Sequence, residues 1–340
     1  MPITCCGIDE AGYGPMLGPL CIAAAAFRVT GPGSGPVTGS GQGPGSGPAG
    51  PDHAHDRPPP DLWRLLERAV CRAPRDHADR IAIADSKRLK RPNTLKRAHP
   101  LEHLERGVLA CLQAQPDTDA ELLHTLGARL PDAPCYRAEP TPLPLARDAA
   151  AARIDASRLA AAMHRAGVEL VGLRCVIVGE RTFNETVRSA GTKARATALG
   201  IVPLARWAAR RASAAGDRLE LICDQQSGRT DDTPLLAECF PHAEISRTRA
   251  DAAGRRYHAG DAIGVRILPE AEDHHLPVAL ASMTAKLVRE LAMRRFNAYW
   301  SARLPALKPT AGYVADARRW LRDVEPVLDP AQRDALVRIA

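Results

Sequence analysis

Aromatic side chains are scarce in this chain: Phe, Trp and Tyr together make up 4% of its 340 residues. A core must therefore be built from Ala, Leu, Val and Ile. No apolar run approaches the roughly 18 residues of a membrane helix, so no membrane partner is expected. The first residues carry no basic stretch followed by an apolar one, which argues against a signal peptide. The nine cysteines form no CxxC pair and have no His at ligand spacing. That excludes a zinc site or disulfide framework and leaves reduced thiols in a cytoplasmic protein. No internal repeat is present.

What is present is a globular composition, 45% hydrophobic, long enough for one large domain or two small ones. The net charge of +7 favours a polyanionic partner, although arginine-rich composition alone produces the same balance. Residues 31–60 are almost entirely Gly, Pro, Ser, Thr, Asp and His. Such a segment cannot pack a core and is expected to be a disordered loop inside one domain. Around it the sequence predicts two strands within residues 1–28 and helix over 61–72. A helical pattern runs through 92–130, an irregular stretch through 131–148 and a helix through 154–166. Strands are expected at 170–178, 218–223 and 243–249, a hairpin over 255–268 around Gly260-Asp261, and helices at 195–214, 278–299 and near 315–338. Strands mixed with helices indicate an α/β or α+β domain.

Chemistry concentrates at strand ends. Gly7-Ile8-Asp9-Glu10-Ala11-Gly12-Tyr13-Gly14 places adjacent acids between an apolar run and a Gly-rich turn. Neighbouring strand side chains point to opposite faces, so both acids converge only if the strand ends and bends there, as Gly12 and Gly14 permit. Arg218 to Cys223 likewise ends in Asp224, although a plain turn explains that acid equally well. Glu270, Glu272 and Asp273 precede a helix, where caps and dipole partners are the ordinary explanation. In that helix Ser282, Lys286 and Arg289 share a face, a pattern that a solvated basic stripe also produces. Carboxylates gathered in one place repel one another unless a cation joins them, and oxygen ligands suit hard divalent cations.

The chain resembles the ribonuclease HII family, within the group that includes ribonuclease HIII. The resemblance rests on Gly7-Ile8-Asp9-Glu10-Ala11-Gly12, Asp85-Ser86-Lys87-Arg88-Leu89, strand-terminal Asp224, Ala281-Ser282-Met283-Thr284-Ala285-Lys286-Leu287-Val288-Arg289-Glu290 and Gly312-Tyr313. Phe183-Asn184 resembles the ribonuclease HIII side of the group. The resemblance implies an α/β, ribonuclease H-like fold with a central five-stranded mixed sheet flanked by helices, plus insertions. It implies a catalytic domain over 1–325, interrupted by the loop at 31–60 and a largely helical insertion at about 100–168, then a helix over 326–340.

The implied activity is metal-dependent cleavage of the RNA strand of RNA–DNA hybrids, with Mg²⁺ or Mn²⁺ on four acids. Three are Asp9, Glu10 and Asp224. The fourth family acid lies fourteen positions before the motif lysine, which from Lys286 falls on Glu272, with Asp273 the alternative. Gly12, Tyr13, Gly14, Lys87, Ser282, Lys286, Arg289 and Tyr313 are the implied nucleic-acid contacts. RNA–DNA hybrid or ribonucleotide-containing DNA is the expected partner, and no obligate protein partner is indicated. The family turn reads Gly-Arg-Gly where this chain has Gly12-Tyr13-Gly14, which removes a planar phosphate donor; Val314-Ala315 also departs from the usual Gly-Thr. Two other functions stay open: a non-catalytic nucleic-acid-binding descendant of the fold, and a related nuclease with a different DNA or RNA substrate.

Overall fold

The computed structural model describes residues 2–31, 58–74, 79–93, 98–113, 115–225 and 229–339. The expected disordered loop at 31–60 falls almost wholly outside the described residues, as do Gln226, Ser227 and Gly228. The main sheet comprises β1 (Ile3–Ala11), β2 (Leu20–Val29), β5 (Val168–Val178), β6 (Arg218–Asp224), β7 (Ile245–Asp251), β8 (Gly254–Ala259) and β9 (Ile263–Leu268). A separate two-stranded sheet pairs β3 (Val70–Cys71) with β4 (Ile81–Ala82).

The main sheet has the order β5-β2-β1-β6-β9-β8-β7. β2 runs antiparallel to both β1 and β5, whereas β1, β6 and β9 are mutually parallel in turn. The first five in this order make a five-stranded mixed sheet, as the resemblance implies. β8 and β7 extend it antiparallel to seven strands, with the predicted turn at Gly260-Asp261 joining β8 to β9. The architecture is thus α/β, a mixed sheet between helices.

Both faces of the sheet are covered. One carries the long helix Leu276–Arg303 with Glu102–Cys111 and Ala149–Ala166; the other carries Lys193–Ala214 and Thr233–Cys239. The alanine run in β2 alternates between these cores, Ala23 and Ala25 into the first, Ala24 and Ala26 into the second. A strand buried on both faces reads as a continuous apolar run. The few aromatics concentrate at the far end of the long helix, where Phe296, Trp300 and Trp320 pack against Tyr136. All nine cysteines are free and buried. No helix among the described residues is long and apolar enough to cross a membrane.

Several elements differ from expectation. The helix expected over 61–72 stops at Leu65, because Val70 and Cys71 leave to pair with β4. The 92–130 pattern yields two helices, Glu102–Cys111 and Asp119–Thr125, the second opened by Pro116 and the Thr118 cap. The 315–338 region divides at Pro326 and Pro330 into Val314–Val324, a 3₁₀ turn at Glu325–Val327 and Pro330–Leu336, so among the described residues the segment 326–340 holds one short α-helix. The helical segment at about 100–168 contributes Leu104, Val108 and Leu159 to the same core as β2 and the long helix. Helices Glu180–Ala190 and Thr233–Cys239 were not expected, although Phe183, Val187 and Ala190 give the first an apolar stripe at helical spacing.

Candidate active site

Three parallel strands deliver their ends to one edge of the sheet. β1 and β6 pair in register up to Ile8 and Cys223, so the next residues, Asp9 and Asp224, stand side by side at that edge. β6 pairs with β9 up to Asp224 and Leu268. Beyond β9, Glu270 adopts a left-handed conformation, φ 49° and ψ 40°, and turns the chain into the short helix Ala271–His274 that carries Glu272. A non-glycine residue in this region costs roughly 1–2 kcal/mol, so the surrounding packing must enforce the turn.

The long helix begins directly over β1. A Cβ on Gly7 would overlap the backbone at Pro277 and Val278. Glycine is therefore what allows the helix to settle on the strand and bring Ser282 beside Asp9. The Ser282 hydroxyl lies 3.0 Å from that of Ser86, and its hydrogen bond to Asp9 favours the ionised carboxylate. Ser86 belongs to a single helical turn, Ser86–Leu89, whose cap Asp85 accepts from the Lys87 N–H at 3.0 Å. Sequence reasoning quoted Asp85 within its motif but gave it no role in the site. A buried Asp before Ser-Lys is a cap signature that could have revealed it.

The acids share one electrostatic field. Burial first, then Glu10, Glu272 and Asp224, hold the Asp9 carboxyl well above its ordinary range, against a hydrogen bond from Ser282; the Glu10 N–H also donates to Asp9 Oδ1 at 2.7 Å. Burial also raises Asp224, against hydrogen bonds from the Ala271 and Gln225 N–H groups. Glu272 is raised by burial, with Asp224 and Asp85 adding to it and Lys87 opposing. Burial alone would lower Lys87, but Asp85, Glu272, Asp9 and Asp224 outweigh it and raise it. One lysine thus faces a group of carboxylates.

The structure separates Glu272 from Asp273. Arg88 grips the Asp273 carboxylate with two hydrogen bonds, 2.9 and 2.7 Å, and Arg72 binds the Asp273 carbonyl. Asp273 is committed to that clasp. Glu272 is buried, and its Oε2 has no hydrogen-bond partner.

Glu10 differs from expectation. β1 continues regularly to Ala11, paired with Cys21, so the strand does not bend between the two acids. Glu10 therefore shares parity with Cys6 and Ile8, which face the other core. Its charge is felt by Tyr13 and Cys223 as well as by Asp9. Among the described residues no three His, Cys, Asp or Glu side chains approach closely enough to hold a metal ion as they stand. The donor set nevertheless fits a hard divalent cation: all oxygen, mutually repelling, with one buried carboxylate oxygen unpartnered.

The basic face is largely enclosed: Lys286 and Arg289 are both buried, and Tyr313 is exposed. Lys286 pairs with Glu290 at 2.9 Å and lies 3.4 Å from the hydroxyl of Tyr313, which is 48% exposed. Arg289 is fully buried and donates to the carbonyls of Leu17 and Ala311. The expectation that Arg289 touches nucleic acid directly is corrected here, because the surrounding chain encloses its guanidinium. A Cβ on Gly12 (φ 94°) would meet Arg289 Nε at 2.6 Å, so Arg289 sits immediately beneath the Gly12-Tyr13-Gly14 turn. Ser282 is also buried and acts on Asp9, away from the surface.

Fold and site together define an α/β protein with an acidic centre at the carboxyl edge of its parallel strands. No protein-family model matches this chain, and no curated protein does. Solved structures similar to it include ribonuclease HII from Archaeoglobus fulgidus in its complex with PCNA, with 14% identity, TM-score 0.40, and 99% of this chain and 94% of that chain covered. Ribonuclease H2 from Pyrococcus horikoshii OT3 gives 14%, 0.40, 99% and 92%. Bst-RNase HIII in complex with Mn²⁺ gives 14%, 0.40, 99% and 66%. Likeness of this degree assigns neither a family nor an activity.

Proposed function

We propose that the protein is a metal-dependent endonuclease that hydrolyses the RNA strand of RNA–DNA hybrids. The observation that carries this reading is the gathering of Asp9, Asp224 and Glu272 at three parallel strand ends, each raised by burial and by its neighbours. Such a centre is destabilising without a cation and suited to one. Asp9, Glu10, Asp224 and Glu272 would hold Mg²⁺ or Mn²⁺. The bound ions would activate water and neutralise charge on the attacked phosphate and the leaving oxygen.

The chain's own residues do the rest. Lys87, held charged by the acids around it, reaches a phosphate next to the centre. Ser282 orients Asp9. Exposed Tyr313 offers a ring to the backbone and sugar, where a hybrid differs from DNA by its 2′-hydroxyls and A-like shape, and buried Lys286, paired with Glu290, stands behind that ring. The Gly12-Tyr13-Gly14 turn lies next to Glu10 in the chain and contacts the same strand. Arg289 braces this turn from below.

The test is cleavage of an end-labelled RNA–DNA hybrid in Mg²⁺ and in Mn²⁺, beside duplex DNA, single-stranded RNA and an EDTA control. Cation-dependent scission confined to RNA supports the reading. Hybrid binding without scission in either metal would favour the non-catalytic descendant, and scission of duplex DNA a related nuclease.

A further inference from the structure

The Gly12-Tyr13-Gly14 turn is gripped by a residue 326 positions away in the sequence. Arg338 donates from Nη1 to the Gly12 carbonyl and from Nη2 to the Tyr13 carbonyl at 3.1 Å. Its own N–H donates to the Met16 carbonyl at 2.8 Å, just past the turn. Arg338 is 3% exposed, and its guanidinium lies 3.8 Å from the centre of the Phe183 ring. Asn184 brackets the same segment, giving Nδ2 to the Val337 carbonyl at 2.8 Å and accepting from the Ile339 N–H at 2.8 Å. The helix Pro330–Leu336, fixed by a capping box of Asp329 and Gln332, delivers the segment to this place.

The grip has a geometric consequence. In a trans peptide the N–H points away from the C=O. The Gly12 carbonyl shares its peptide with the Tyr13 N–H, and the Tyr13 carbonyl shares its peptide with the Gly14 N–H. Two carbonyls turned onto a buried guanidinium therefore turn two successive N–H groups the other way. Among the described residues neither N–H has a protein acceptor, and Gly14 is exposed with open space around it. Successive outward N–H groups are an anion site. Arg338 is not itself that site, because it is enclosed: Nη1 and Nη2 serve the two carbonyls, and its Nε is buried without a partner. Burial, then neighbouring Arg289, draws its pKa down to about 10 and leaves it charged at neutral pH.

We propose that Arg338 is a positioning residue for substrate: it holds the Gly12-Tyr13-Gly14 turn so that the Tyr13 and Gly14 N–H groups face a phosphate of the bound strand. The identity of that strand rests on the hydrolase reading; the brace does not. A guanidinium absent from the turn is thereby supplied from behind it, as a support.

The experiment compares the parent chain with Arg338→Lys, Arg338→Met and Asn184→Ala. Lysine keeps the charge but loses the two-pronged fork. Three quantities are read: Kd for an RNA–DNA hybrid in EDTA, KM and kcat for its cleavage, and amide hydrogen exchange over residues 11–16. Arg338→Met is expected to weaken binding and raise KM by about tenfold, with kcat within about twofold and faster exchange in the turn. Arg338→Lys should recover part of the loss, and Asn184→Ala should show a smaller shift in the same direction. If Arg338→Met does not fold, Arg338→Lys, checked by its melting temperature, decides the matter. Parent-like Kd and exchange in the folded variants overturn the brace and leave the hydrolase reading intact. So does a fall in kcat at constant KM. A parent chain that binds hybrid but cleaves it under no cation overturns the hydrolase reading and leaves the brace to Kd and exchange.

Discussion

Two populations of buried acids divide this molecule. Away from the sheet edge each one is answered by a fixed partner. Asp119 meets Arg295 at 2.6 Å, Asp155 meets Arg106 and Arg147, Asp217 meets Arg28 and Thr4, and Asp232 meets Arg255 at 2.7 Å. Glu220 meets Arg266, Glu180 accepts from Tyr136, and Glu105 accepts from two backbone N–H groups. Burial raises Glu105 and Glu180, and their partners oppose it. At the edge, Asp9, Asp224 and Glu272 take part in no ion pair among the described residues, and each is pushed toward protonation by neighbouring carboxylates as well as by burial. Glu220 also has an unpartnered oxygen, but its other oxygen holds Arg266. A chain that pairs its acids elsewhere and crowds them here has left room for a charge it does not itself carry. A buried carboxylate lacking a compensating charge costs stability, so the crowding is informative.

Removing one acid of each kind separates them most sharply. Asp9→Asn should lower hybrid cleavage about a thousandfold or more, the equivalent of the several kcal/mol a metal centre supplies. It should raise the melting temperature in EDTA by relieving repulsion, and leave hybrid binding near the parent value. Asp119→Ala should do the opposite, keeping the site chemistry while costing about 3–5 kcal/mol of stability, because Arg295 is left buried and unpaired. Denaturant melts and cleavage assays on both variants check the contrast. Loss of stability without loss of turnover in Asp9→Asn would erase it.

The neighbours Glu272 and Asp273 repeat the comparison within one helical turn. Glu272→Gln should lower turnover at saturating Mg²⁺ far more than Asp273→Asn, which releases the clasp of Arg88 and mainly loosens the turn. The reverse ranking would exchange their roles.

A smaller effect follows from proton linkage. Asp9, Asp224 and Glu272 have folded-state values above their unfolded ones, so the folded state holds more protons between the two. Their contribution to stability is complete below the unfolded values, 3.8 for Asp and 4.5 for Glu, and is lost as pH rises through the raised ones. The melting temperature in EDTA should therefore fall as pH climbs from about 4 toward neutrality. Added Mg²⁺ or Mn²⁺ should restore it most at the upper end, since binding to the folded state stabilises it. A melting temperature indifferent to cation at neutral pH would contradict the reading.

The smallest expected change concerns substrate choice. Tyr13 cannot supply the two parallel donors of a guanidinium, so long hybrids should be cut better than duplex DNA carrying one ribonucleotide. Tyr13→Arg should narrow that ratio by several-fold. Binding of either should weaken with salt. Equal cleavage of both by the parent, with no gain from Tyr13→Arg, would free the turn from any part in selection.

The parts of this site that the sequence reveals are those made by local rules. Asp9 and Asp224 are legible because each follows an apolar strand, and strand length fixes where an acid emerges. The hairpin at Gly260-Asp261 is legible from its turn residues. Register to Lys286 favours Glu272 over Asp273 only through the family resemblance, since both begin a helix; a clasp from Arg88, 185 residues earlier, gives the two acids different surroundings. The place of Glu10 depends on whether β1 bends, which its pairing with β2 settles. Arg338 lies beyond sequence reasoning for the same cause, since its contacts span most of the chain. Helix Glu180–Ala190 was missed although Phe183, Val187 and Ala190 stand at helical spacing, because the residues around them are almost all polar.

The seat of the long helix on Gly7 makes that helix a lever with its pivot at the site. It spans 28 residues from Leu276, so its far end at Arg303 stands about 39 Å from Pro277, while Ser282 stands only about 7 Å away. A sideways swing of about 1 Å at the aromatic end would then carry Ser282 by only about 0.2 Å. Motion or substitution around Phe296, Trp300 and Trp320 is attenuated before it reaches the acids, whereas a methyl group added at Gly7 would shift the pivot and displace Ser282 and Lys286 together.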